Sequence, residues 1–243
     1  KRYYGGCEYV DIAEELAPFT EYSRDLLRGG KRFRALFCYW GWQSTQTSHG
    51  DFDLLPEPPE RELSAIIRAS VALELFHAAA LVHDDIIDNS DTRRGGESIH
   101  RRFESIHVAN GWMGPSDSFG RSAAILLGDL LLSWSDEAFN EALALTASSS
   151  ARAAARGEHH RMRSEVMLGQ YLDVVNEQAW KTFPESEQLP RAHRVIVYKS
   201  AKYSIEAPLT IGAALGGGNA ESLAALRAFG LPLGIAYQLR DDV

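Results

Sequence analysis

The chain is 243 residues long, 45% hydrophobic and 24% charged, the composition of a globular protein that can bury a full core without staples. Acidic residues number 33 against 25 basic, and the resulting charge of −8 speaks against a nucleic-acid binder while leaving room for a local basic pocket. Two cysteines, Cys7 and Cys38, exclude a disulfide scaffold and a cysteine-type zinc site; they read as one exposed and one core thiol.

Taken in chain order, the pattern is helical almost throughout. Glu8 to Leu27 is the first expected helix, interrupted by Pro18 and stopped by Gly29-Gly30. Phe33 to Trp42 follows, with Phe33, Leu36, Phe37 and Trp40 at i, i+3, i+4 and i+7. Residues 43–59 form a polar, proline-containing loop. The strongest helix runs from Glu60 to Asn89; nearly every turn carries an apolar residue, which marks it as central in a bundle. Further helices are expected at Ser98 to Val108, Gly120 to Ala147, Ser150 to Lys181, Pro190 to Tyr198, Ala201 to Leu215 and Ala220 to Asp241. No segment of four to eight alternating β-branched residues is present. The expected fold is all-α, a single many-helix domain over residues 1–243. No uninterrupted apolar run approaches the ~18 residues that span a bilayer. The stretch Ala123 to Leu132 is cut by Asp129, and no signal-peptide core opens the chain, so a cytoplasmic location is expected.

The most informative segment lies at the end of the strongest helix. Asp84 and Asp88 are four residues apart and share a helix face, with Asp85 on its shoulder. Carboxylates so placed repel one another near a helix C-terminus, where negative charge is unfavourable. A cation relieves this, and oxygen ligands on a rigid element suit Mg²⁺, which completes its shell with substrate phosphates. Taken alone, an acidic helix turn is ordinarily a solvated face, but Ile86 and Ile87 stand between these acids. Arg93 and Arg94 follow closely, and two guanidinium forks beside a metal can grip one diphosphate from two sides.

Asp84, Asp85, Asp88, Arg93, Arg94 and Gly95 together resemble the first aspartate-rich motif of the trans-isoprenyl diphosphate synthases, D-D-x-x-D followed after four residues by R-R-G. Other landmarks of that family stand in order. Gly29 to Arg34 resembles G-G-K-R-x-R, with Ala35 where proline is usual. Gly128-Asp129 resembles the G-D-x-L helix, Gly169 to Asp173 resembles G-Q-x-x-D, and Lys199-Ser200-Ala201 resembles K-T-[AG] with the hydroxyl kept. Tyr237 to Asp242 resembles F-Q-x-x-D-D, the opening of the second aspartate-rich motif. The resemblance covers the chain from about Arg24 to its end.

The resemblance implies an isoprenoid-synthase bundle around a central prenyl-diphosphate cavity, and head-to-tail (1′–4) condensation of isopentenyl diphosphate with an allylic diphosphate. It assigns Mg²⁺ to Asp84, Asp85 and Asp88, with Asp241 and Asp242 as a second set. Arg93 and Lys199 would neutralise the leaving pyrophosphate, and Gln170 and Asp173 would flank the allylic cation. Gly30, Lys31, Arg34, His77 and Arg94 would hold isopentenyl diphosphate, with Ser200 and Gln238 as further substrate contacts. Departing pyrophosphate is the implied proton acceptor. The growing tail would descend beside the Glu60 to Asn89 helix past the small Ala79 and Ala80 to a floor at Phe76, which points to twenty-carbon geranylgeranyl diphosphate. By the same analogy the protein is a homodimer serving isoprenoid biosynthesis, and the second motif is expected to continue past Asp242 into further C-terminal helices.

Three other readings differ in testable ways. A farnesyl or longer-chain synthase differs only in product length. A class I terpene cyclase also ionises a prenyl diphosphate with Mg²⁺ but needs no second diphosphate site. A non-catalytic bundle subunit would be expected to have lost acids or arginines that this chain keeps. His159-His160 stands among Arg156, Glu158, Arg161 and Arg163 and reads as a polar stretch rather than a metal site.

Overall fold

The computed structural model describes residues 12–46 and 59–241. Its helices are α1 (Ala17–Arg28), α2 (Phe33–Gln43), α3 (Glu60–Ile87), α4 (Ile99–Ala109), α5 (Ser116–Leu145), α6 (Ser149–Ala179), α7 (Glu185–Val195), α8 (Ala207–Leu215) and α9 (Ala220–Asp241). Between α7 and α8 the chain stays helical as a π-helical segment, Ile196–Glu206. The all-α class is as expected, and the boundaries carry the differences. Pro18 sits in the first turn of α1, where its missing N–H has no intrahelical partner to lose, so it opens the helix instead of interrupting it. The part of that first expected helix before residue 12 lies outside the described residues, as does Cys7. Pro190 lies inside α7, and the break expected between Tyr198 and Ala201 is absent because the π-helical segment carries the chain through.

One small ladder interrupts the helical chain. Strands β1 (Thr92–Arg93) and β2 (Gly96–Glu97) pair antiparallel, Thr92 with Glu97 and Arg93 with Gly96. Arg94 and Gly95 form the turn between them with φ of 54° and 82°, the conformation of a two-residue type I′ hairpin. A ladder of two residues a side is too short for an alternating pattern to announce it.

The chain divides into two compact units. The first comprises Lys1–Lys31 and Val71–Phe139, the second Arg32–Ser70 and Asn140–Val243, so α3 and α5 each contribute residues to both. In the first unit, Phe19 and Tyr22 of α1 meet Phe103 of α4 at ring-centroid distances of 5.5 and 5.1 Å. Arg102 lies 3.6 Å over the Tyr22 ring and donates to Asp25 at 3.0 Å, which ties α1 to α4. Leu73, Leu75, Leu127 and Leu131 are fully buried, each contributing about 1.5–3 kcal/mol of transfer free energy. Ser135 Oγ donates to the Ala72 carbonyl at 2.8 Å and crosslinks α5 to α3.

In the second unit α8 is apolar on all sides and buried at every residue, as a central helix must be. It packs on α2 at backbone contact: a Cβ at Gly41 would collide with the Leu209 carbonyl, and one at Gly212 with that of Cys38. Cys38 is the expected core thiol, its pKa pushed up to about 12 by burial. His159 is buried on α6 while His160 is exposed, so the pair is not one polar stretch.

Among the described residues α3 is long and apolar enough to cross a bilayer by length and composition, with a mean hydropathy of 1.7 over its best window. Of that window 56% is buried inside the protein, the burial of a core helix.

Candidate active site

In the first unit the helical repeat of α3 sorts its last turns into an open and a packed face. His77, Ala80, Leu81 and Asp84 are half-buried and Asp88 is exposed, all on one stripe. Val82, Ala79 and Phe76 are buried. Among the residues expected to set chain length, Ala80 therefore shares the aspartate stripe, while Phe76 and Ala79 belong to the core. Asp85 is only 2% exposed and faces inward. Its Oδ1 accepts from Arg93 Nε at 2.8 Å and also from Arg93 Nη2, which in turn lies 3.5 Å from Asp84 Oδ2. The hydrogen bond to Asp85 raises the Arg93 pKa, which secures its charge.

Arg94 projects from the hairpin turn onto the end of α1. Its Nη1 donates to the Leu26 carbonyl at 3.1 Å. A Cβ at Gly29 would stand 2.6 Å from that same nitrogen, and one at Gly30 would stand 3.1 Å from Nη2. Gly30 also has a φ of 92°. The paired glycines thus form the seat of Arg94, so two motifs far apart in the chain meet in one local structure. A cavity of about 340 Å³ lies beside it between Leu26, Arg93, Arg94, Glu97, Ile99 and Arg102. Lys31 ends this unit and is exposed.

Sequence reasoning missed two histidines here. His83 lies 3.6 Å from Asp129 Oδ1, and its ring occupies the space that a Cβ at Gly128 would fill, which gives the Gly-Asp pair of α5 a local purpose. His100 is buried in the first turn of α4 with its Nδ1 3.2 Å from Ser98 Oγ, and burial pushes its pKa down. The only signal for either was proximity to the aspartate motif.

The second unit carries the remaining expected residues. Arg34 stands in the first turn of α2, preceded by Arg32 in the left-handed region at φ 56°. Its Nη2 donates to Ser204 Oγ at 2.8 Å. Lys199 Nζ donates to Asp173 Oδ2 at 2.6 Å, joining the π-helical segment to α6. That approach requires Gly169, since a Cβ there would collide with the backbone of Tyr198 and Lys199. Gln170, Ser200 and Gln238 are half-buried. Asp241 is the last residue of α9, and Asp242 lies outside the described residues.

The acids of α3 suit magnesium. Among the described residues no three histidine, cysteine or acidic groups converge into a ready-made metal cluster. Asp84 and Asp88 offer two carboxylates on one open stripe, and Asp85 is engaged by Arg93. One or two carboxylates, with water and phosphate oxygens completing the octahedron, is what Mg²⁺ accepts. With Arg93 and Arg94 one hairpin away, this surface can receive a diphosphate.

Residues 17–243 match the family model described as polyprenyl synthetase. The chain is 32% identical to geranylgeranyl diphosphate synthase of Methanosarcina mazei, over 97% of this chain and 63% of the relative. It is 30% identical to geranylfarnesyl diphosphate synthase of Natronomonas pharaonis, over 96% of this chain and 61% of the relative. Its fold is similar to a crystal structure of geranylgeranyl pyrophosphate synthase from Corynebacterium glutamicum complexed with isoprenyl diphosphate and magnesium. The TM-score is 0.81 at 35% identity, covering 97% of this chain and 62% of that one. The chain therefore spans about three-fifths of the length of these relatives.

Proposed function

Because the chain belongs to the polyprenyl synthetase family, we propose that it is a Mg²⁺-dependent trans-prenyltransferase that condenses isopentenyl diphosphate with an allylic diphosphate, with geranylgeranyl diphosphate as product. The observation that carries this reading is the open Asp84–Asp88 stripe beside an arginine hairpin whose second arginine is seated on the Gly29-Gly30 turn. The long helices α3 and α5 each run through both units, which supports treating the chain as part of one isoprenoid-synthase domain. Homodimer formation and a cytoplasmic location come with the same reading.

In the reaction the allylic C–O bond breaks and pyrophosphate leaves with the bonding electrons. The double bond of isopentenyl diphosphate then attacks the allylic carbon, and the proton lost afterwards passes to pyrophosphate. Magnesium held by Asp84 and Asp88, with Asp241 and Asp242 as the second set, would supply Lewis-acid charge to the leaving oxygen. Arg93 is held by Asp85 in a fixed orientation and presents charge to the same leaving group. Lys199, oriented by Asp173, adds a second fixed cation. Lys31, Arg34, His77 and Arg94 hold the second diphosphate, which orients the nucleophile. Gln170 and Ser200 present dipoles to the allylic cation.

The test is incubation of the full-length protein with labelled isopentenyl diphosphate, Mg²⁺ and C5, C10 or C15 allylic partners, resolved by product length. Chelation should abolish incorporation and Mg²⁺ should restore it. A hydrocarbon formed from an allylic diphosphate alone would favour a cyclase. No incorporation with any primer would favour a non-catalytic subunit.

A further inference from the structure

We propose that Tyr203 and Ser204 are positioning residues that hold the Arg34 guanidinium ready for the diphosphate of isopentenyl diphosphate. The proposal rests on the reading of Arg34 as a ligand of that substrate. Arg34 Nη2 donates to Ser204 Oγ at 2.8 Å, and the guanidinium carbon lies 4.3 Å from the centroid of the Tyr203 ring. Tyr203 is 5% exposed, so its ring is fixed by packing and offers a rigid face. Arg34 Nε is buried and makes no hydrogen bond, and among the described residues Arg34 makes no ion pair.

Arg34 and Arg93 are held in different ways. Arg93 is held by a carboxylate, Asp85, and gives part of its charge to that contact. Arg34 is held by a hydroxyl and an aromatic face, both of which orient a guanidinium without neutralising it. Its full charge remains for an anion. An arginine side chain carries large rotamer freedom, so one already stacked and hydrogen-bonded loses less of it when the ligand arrives. The π-helical segment makes this possible, because its wider turn narrows the angle between successive residues and lets adjacent side chains meet one partner. The same segment directs Lys199 onto Asp173 of α6, so one π-helical element orients two cations.

The experiment is steady-state kinetics on Tyr203→Leu, Tyr203→Phe, Ser204→Ala and Arg34→Ala, varying each substrate in turn, with thermal melts of every variant. Tyr203→Leu and Ser204→Ala should each raise KM for isopentenyl diphosphate by about three- to tenfold. KM for the allylic substrate and kcat should stay within twofold, and Tyr203→Phe, which keeps the ring, should restore the wild-type value. In an Arg34→Ala background Tyr203→Leu should add no further rise. Equal rises for both substrates, or full additivity in that background, would overturn the positioning role. An unchanged KM for isopentenyl diphosphate in Arg34→Ala would overturn the assignment of Arg34 itself, and with it the proposal. Absence of incorporation by the wild-type protein would overturn the function.

Discussion

The three carboxylates at the end of α3 differ in their surroundings, and their substitutions should separate accordingly. Asp84→Ala and Asp88→Ala should lower kcat by about 10²–10³-fold with little change in melting temperature, because both side chains lie on the open stripe. Asp85→Asn should do both: the buried carboxylate is the anchor of Arg93, and losing its charge should cost about 1–3 kcal/mol of stability along with activity. Denaturant melts beside kinetics check the split. His159 offers a pH prediction. Burial pushes its pKa down to about 3, well below the ordinary histidine value, so the unfolded chain takes up a proton first. Stability is therefore complete above about pH 6.5 and falls as the solution is acidified toward pH 3. Burial of Glu206 raises its pKa and acts in the opposite sense, stabilising the fold at low pH and losing that contribution as pH rises. Comparing wild type with His159→Gln isolates the histidine: between pH 7 and 5 the wild type should lose about 2 kcal/mol more than the variant.

At the scale of elements, close approach decides more than propensity. The hairpin β1–β2 is only as long as its turn requires, yet it orients Arg93 toward Asp85 and Arg94 toward α1. Gly29→Ala should unseat Arg94, raising KM for isopentenyl diphosphate with a modest loss of stability. Gly169→Ala should cost about 1–3 kcal/mol, because the Lys199 backbone cannot retreat as the end of a flexible side chain can. On α3, Ala80 lies on the aspartate stripe, four residues below Asp84. Ala80→Phe should shorten the product distribution, and an unchanged distribution would remove Ala80 from the channel. The buried Phe76 is part of the packed core, where enlargement or truncation should be read first as a stability change.

At the scale of the whole molecule, the acidic surplus acquires a meaning. Asp84 and Asp88 lie on one face of one helix, and a bound divalent cation would lower the repulsion between them. Mg²⁺ and pyrophosphate together should therefore raise the melting temperature more than the sum of either alone; a ligand at a hundredfold excess over its Kd adds about 2.7 kcal/mol of stability in all. Differential scanning calorimetry with each component separately checks this. Sedimentation of the full-length protein checks the homodimer.

The sequence by itself determined the helical class, the helix spacing and the candidate chemistry, because hydrophobic period and local motifs are properties of neighbouring residues. Its motifs single out Asp84, Asp88, Arg93, Arg94, Arg34 and Lys199 as candidate diphosphate and metal ligands. Tertiary structure alone decided which acid faces inward, which glycines seat Arg94, and which hydroxyl and ring hold Arg34. Those contacts join residues far apart in the chain, and their sign depends on burial and approach distance, which no local pattern records. The π-helical segment belongs to the same class: the sequence reads there as two helices with a break, whereas the chain stays helical through it, packed against α6 and α9.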